Sequence, residues 1–192
     1  MSESDRLPKL PTSHLVRDLA TMDQALYETV TVTRTPTLDS ALRRLSAAAD
    51  HSKLSFGVAA GLALCGRRPR RAAVLGVAAI GVASATANLL GKKLVRRPRP
   101  HRAEDSPFPG RHVPMPQSAS FPSGHTASAV AFAAAVGPSL PVSAVPLGLL
   151  ACAVGYSRVH TGVHYPGDVV AGALLGTGSA ALVLALTARK DG

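Results

Sequence analysis

Three short clusters in the chain bring cations, imidazoles and a carboxylate into close sequence: Lys92-x6-Arg99-Pro100, Pro122-Ser123-Gly124-His125, and Ser157-Arg158-x5-His164-x3-Asp168. Together they hold what phosphoryl transfer requires: positive groups to neutralise a phosphate, backbone donors for its oxygens, a nucleophile and an acid. Lys92, Arg99 and Arg158 are candidate phosphate clamps, and the two guanidinium groups suit forked contacts with phosphate oxygens. Ser123-Gly124-His125 stands where a helix should begin. Ser123 can cap that helix, the N–H groups of Gly124 and His125 then face an oxyanion, and Gly124 lets a phosphate approach the backbone closely.

In the third cluster, Pro166 favours a first helical turn and pushes Tyr165 out of helical geometry. Asp168 then lies inside that turn and His164 just before it, so the carboxylate can reach one imidazole nitrogen. Such a contact fixes the tautomer and stabilises positive charge while the other nitrogen attacks phosphorus. His125 is left to protonate the departing alkoxide, which requires His164 to be neutral at the working pH.

Plainer readings stand beside these. Lys93, Arg96 and Arg97 read as a headgroup-binding rim, and Asp168 alone would be a helix N-terminal acid, although its spacing from His164 favours the chemical role. His101, His112 and His160 have no assigned partner and read as solvated or supporting residues. His14 and His51 read as surface residues, and whether Arg102 or Arg111 selects a headgroup stays open.

The elements that must position these groups are mostly apolar. Hydrophobic residues make up 46% of the 192 and charged residues 17%, with no Trp and a formal charge of +10, which describes a bilayer protein with basic rims. The basic residues cluster beside apolar runs rather than interleaving with aromatics, so nucleic acid is not an expected partner. Residues 1–13 are polar. From His14 to about Val32, and again from about Thr37 to Ala49, apolar residues recur at helical spacing among charges, predicting two amphipathic helices that lie on the membrane surface.

Five spanning candidates follow, at about 52–66, 72–91, 125–138, 141–157 and 167–188. The first is short and must borrow from Ala47 to Ser52 to reach the roughly 20 residues a bilayer core demands. The only long loop, about 92–123, is proline-rich, and a loop of that length in so short a chain is usually functional. If the spans alternate sides, all three clusters emerge on one face. Cys65 and Cys152 lie in apolar runs and are expected to be buried, inert thiols without a disulfide. The N-terminus carries no secretory signal. That leans the N-terminus and the site toward the cytoplasm, while the flanking charges nearly balance and leave sidedness open.

The ordered triplet resembles the three signature motifs of the type-2 phosphatidic acid phosphatase family, which shares its site with vanadium-dependent haloperoxidases and glucose-6-phosphatase-like enzymes. The resemblance covers 92–168 with every motif residue in order. It implies an all-α, polytopic membrane bundle, here of about five spanning helices plus the N-terminal amphipathic pair, where members commonly have six. Residues 1–50 would form the polar tail and interfacial helices and 51–192 the transmembrane phosphatase domain.

It further implies metal-independent hydrolysis without a cofactor, phosphate contacts from Lys92, Arg99, Ser123, Gly124 and Arg158, His125 as acid, His164 as covalent nucleophile and Asp168 as its partner. The expected substrate is a lipid phosphate in the cell membrane. The Ala/Arg/Gly-rich usage resembles that of high-GC actinobacteria, which makes decaprenylphosphoryl-5-phosphoribose a candidate beside polyprenyl pyrophosphate, phosphatidylglycerophosphate and phosphatidic acid. A haloperoxidase and a non-catalytic binder of anionic lipids are the readings from other classes.

Overall fold

The computed structural model describes residues 12–102 and 108–191, and among them the regular structure is entirely helical. Two helices precede the bundle, α1 (Thr12–Val32) and α2 (Pro36–Ala48), the second opened by a proline in its first turn. A single turn, Asp50–Ser52, follows, with His51 and Ser52 both in the left-handed region at φ 54° and 59°. Then come α3 (Lys53–Leu64) and α4 (Arg67–Thr86), which runs through a π-helical turn, Ala87–Gly91, into the short α5 (Lys92–Leu94). The remaining helices are α6 (Gly124–Val136), α7 (Pro141–His160) and α8 (Pro166–Asp191).

Small residues set the packing. α6 runs between α4 and α8, and Ala79, Ala83, Ala127, Ala131, Ala135 and Ala180 form a fully buried seam among the three. On α8, a side chain at Gly172 would meet the Ser123 carbonyl oxygen at 2.5 Å, and one at Gly176 would strike the Ala127 carbonyl. The seam therefore closes only because those positions lack a Cβ, as expected for helices associating in lipid. A second cluster joins α3, α4, α6 and α7 around Ile80, Phe132, Val136 and Leu147, with Gly76 under the Phe132 ring.

Large apolar side chains cover the outside, including Leu64, Val142, Val145, Leu149, Val170 and Leu174. Among the described residues, three helices are long and apolar enough to cross a membrane: 67–89, 141–160 and 166–189. The other two apolar runs are also helices, but α3 has 12 residues and α6 has 13, each about 20 Å long at 1.5 Å per residue. α3 does not borrow from Ala47–Ser52, because the left-handed turn at His51 and Ser52 breaks the helix there.

One further expectation changes. Cys65 and Cys152 are free but exposed on the apolar exterior rather than buried. α1 turns its apolar stripe of Leu15, Leu19, Met22 and Leu26 outward and docks onto the bundle by the face carrying Asp23 and the buried Tyr27. Outward apolar residues suit a lipid or interfacial surrounding, where burial of the polar face is the favourable choice.

Candidate active site

His164 lies in the turn between α7 and α8, 2% exposed, its backbone N–H bonded to the Arg158 carbonyl at 3.2 Å. Arg99 Nη1 sits 3.2 Å from its Nε2. A guanidinium can only donate, so Nε2 must be the unprotonated nitrogen and the ring proton resides on Nδ1. Nδ1 faces Asp168 Oδ2 at 3.5 Å, an electrostatic contact longer than a good hydrogen bond, with no closer acceptor among the described residues. The lone pair thus points at the arginine and the N–H at the carboxylate. Burial holds the imidazole down at about 4, with Arg99 and Arg158 adding to the depression and Asp168 opposing it, so His164 is neutral over the physiological range.

Asp168 is fully buried in the first turn of α8. Its Oδ2 accepts the Tyr165 N–H at 3.0 Å, a local capping contact at the start of the helix that Pro166 opens. Its Oδ1 accepts from Arg97 Nη1 at 3.0 Å, and Arg97 Nη2 reaches Asp23 on α1 at 2.6 Å. Arg97, read from sequence as part of a headgroup rim, is instead tied into this chain of charges and stacked over the Tyr165 ring at 4.0 Å.

Ser123 caps α6 as expected, its Oγ accepting from Thr126 N at 3.5 Å and from the Thr126 hydroxyl at 3.0 Å. Ser123 N donates to the Asp168 carbonyl at 2.9 Å, so the starts of α6 and α8 are joined directly. Gly124, His125 and Arg158 line a cavity of about 510 Å³ whose wall also includes Asp50, Ser84 and Asn88. Arg158 is 2% exposed and donates to Ser46 Oγ at 2.6 Å, while its Nε has no hydrogen-bond partner among the described residues. A buried cation with an unused donor at a cavity wall is a ready seat for an anion.

His125 Nε2 meets Asp50 Oδ1 at 2.7 Å, and the same oxygen lies 3.8 Å from Arg158. Asp50 gave no signal in the sequence, because nothing in its neighbourhood resembles a motif; only the turn that displays it marks it out. Arg99 also donates to the carbonyls of Val163 at 2.7 Å and Ser118 at 2.8 Å, which moors the 95–100 segment to the loop before α6. The structure therefore gathers Arg99, Ser123, Gly124, His125, Arg158, His164 and Asp168 into one region; the side chain of Lys92 lies outside the described set.

Two open arginines find structural places. Arg102 donates to the carbonyls of Val113, Thr161 and Gly162, and Arg111, 1% exposed, to Asp39 and the carbonyls of Val30, Thr31 and Thr33 at the end of α1. His160 is buried against the same Asp39 oxygen at 2.9 Å. Asp39 is held below the usual carboxylate range: burial opposes this, but bonds from Thr35, His160 and Arg111 outweigh it.

The profile of the PAP2 superfamily matches residues 72–191. The chain belongs to the PAP2 superfamily. Within it, this PAP2 chain is 42% identical over 121 residues to the decaprenylphosphoryl-5-phosphoribose phosphatase of Mycobacterium tuberculosis, a match spanning 61% of this chain and 62% of that protein, under two thirds of either. It is 38% identical over 111 residues to the lipid A 1-phosphatase of Rhizobium johnstonii, covering 54% of this chain and 43% of that one. Its fold matches the crystal structure of a transmembrane PAP2 type phosphatidylglycerolphosphate phosphatase from Bacillus subtilis with a TM-score of 0.70 at 25% identity, over 90% of this chain and 87% of that one. With this membership and three candidate spanning helices among the described residues, it is a multi-pass membrane protein.

Proposed function

We propose that the chain hydrolyses a lipid phosphomonoester through a phosphohistidine on His164. The observation that carries this reading is the imidazole with Nε2 toward Arg99 and Nδ1–H toward Asp168, buried and neutral. The phosphate oxygens sit on Arg99, Arg158 and the N–H groups at the start of α6, with Lys92 completing the clamp. The Nε2 lone pair forms a bond to phosphorus as the bond to the leaving alkoxide breaks, and His125 gives that alkoxide its proton. The phosphorylated ring carries positive charge, which Asp168 stabilises. Water then attacks phosphorus, the N–P bond breaks, and His125 takes the water's proton, which restores both histidines.

For substrate, the similarity to the mycobacterial enzyme and a cavity walled by Asp50, Ser84 and Asn88 favour a headgroup rich in hydroxyls, with decaprenylphosphoryl-5-phosphoribose the leading candidate. Polyprenyl pyrophosphate and phosphatidylglycerophosphate are the competitors.

Detergent-purified protein, assayed in EDTA for phosphate release across these lipids and phosphatidic acid, tests the proposal. Release that survives EDTA, is abolished in folded His164→Ala and is fastest with the phosphoribosyl lipid is the expected result. Folded protein inert on every lipid phosphate would overturn it, and equal binding of all of them without turnover would identify a lipid-binding protein instead.

A further inference from the structure

We propose that Asp23, on α1, is a positioning residue for the nucleophile: through Arg97 it holds Asp168 against His164 and cancels the positive charge that Arg97 would otherwise turn on that carboxylate. The inference rests on the phosphohistidine reading and extends it to a helix outside the 72–191 family match.

The geometry is a linear alternation of charge. Asp23 Oδ2 accepts from Arg97 Nη2 at 2.6 Å, Arg97 Nη1 donates to Asp168 Oδ1 at 3.0 Å, and Asp168 Oδ2 faces His164 Nδ1 at 3.5 Å. The other oxygen of Asp23 accepts the Gly167 N–H at 2.6 Å, in the same first turn of α8 that carries Asp168. Asp23 thus grips both the cation that touches the nucleophile's partner and the backbone that carries it. The side chain is 12% exposed, so these contacts are made largely out of water, where an ion pair is screened little.

Arg97 alone would work against catalysis. A guanidinium on Asp168 draws negative charge away from the imidazole at the moment the ring becomes cationic. A second carboxylate on the far side of the guanidinium returns that charge. A mere tether for α1 needs none of this, since α1 is already fastened by Tyr27, whose ring meets that of Tyr165 in a tilted contact at 5.3 Å, and by Arg111 on its last carbonyls. Gly167 belongs to the device too: a side chain there would come within 2.9 Å of Asp23 Oδ2.

The groups that face His164 are Asp168 from α8, Arg99 from the 95–100 segment, Arg158 from α7 and His125 from α6. Asp23→Asn leaves all four in place and removes one negative charge from the line. The expected result is a kcat lowered about tenfold or more with KM within about twofold, as for loss of an outer partner that orients a reacting group. Asp23→Glu recovers much of the rate, and Asp23→Asn added to Arg97→Gln lowers the rate no further, because the two act as a unit.

In protein labelled with 15N-histidine, Asp23→Asn moves the His164 titration downward by about half a pH unit or more, since removal of a negative charge disfavours the imidazolium. That readout stands even if no lipid phosphate is hydrolysed, so failure of the phosphatase reading and failure of this proposal are told apart. An Asp23→Asn protein with wild-type kcat and titration, or one whose rate falls only in step with its folded fraction, overturns the proposal.

Discussion

At the scale of single residues, the orientation of His164 is fixed by one neighbour that can only donate and one that can only accept. The sequence placed Asp168 four residues on and so gave the carboxylate side of this arrangement; it could not show that Arg99, 65 residues away, meets the other nitrogen. The depressed imidazole has two consequences. The acid limb of kcat/KM that belongs to His164 should fall far below 6.5, toward about 4; a limb near 6.5 that disappears in His164→Ala would contradict this. Folded His164 also binds fewer protons than its unfolded counterpart between those values. Stability should therefore be independent of this group above 6.5 and decline as the pH drops toward 4, as denaturant titrations across that range would register.

Arg158 supplies a second residue-level test. Lysine has neither the fork that reaches Ser46 nor the spare Nε, so Arg158→Lys should lower kcat/KM about a hundredfold or more while the protein stays folded. Phosphate release together with thermal unfolding would separate the two effects.

At the scale of elements, helix starts were the legible part. Ser123 and Pro166 announce α6 and α8, and each helix begins at or just after its signal. Helix lengths were less legible. The apolar run at 52–66 is short enough to call for residues from Ala47–Ser52, whereas the left-handed His51 and Ser52 stop the helix there. The α6–α8 seam is the element on which the site depends, because it joins Ser123 to Asp168. Gly172→Ala should reduce stability by about 1–3 kcal/mol through collision with the Ser123 carbonyl and should lower activity with it. Gly178→Ala, with open space around it on the same helix, should be neutral or slightly stabilising. Thermal unfolding of the two variants in detergent makes the comparison.

At the scale of the whole molecule, the first fifty residues carry more of the site than their composition suggests. Asp23, Ser46 and Asp50 all reach groups in the 72–191 region, across separations of 74 or more residues, so no local pattern could reveal them. Arg111 and Asp39 hold that segment down. Arg111→Ala would strand the carbonyls at the end of α1 and leave Asp39 without its cation, so a loss on the order of 3 kcal/mol is expected in thermal unfolding. A variant as stable as the wild type would show that α1 and α2 are fastened elsewhere.

The joined starts of α6 and α8 carry one more consequence. Each helix presents the positive end of its macrodipole to the same small volume. The end of α8 is met by the protein's own anions, Asp168 in its first turn and Asp23 on the Gly167 N–H, whereas the first turn of α6 carries no acid. The fold thus sorts its negative charge, quenching one field and leaving the other uncancelled for a visitor. Because that field comes from fixed dipoles in a recess, salt should slow turnover little once the phosphate is seated, while the capture of a lipid headgroup by the exposed basic rim should slow as those charges are screened.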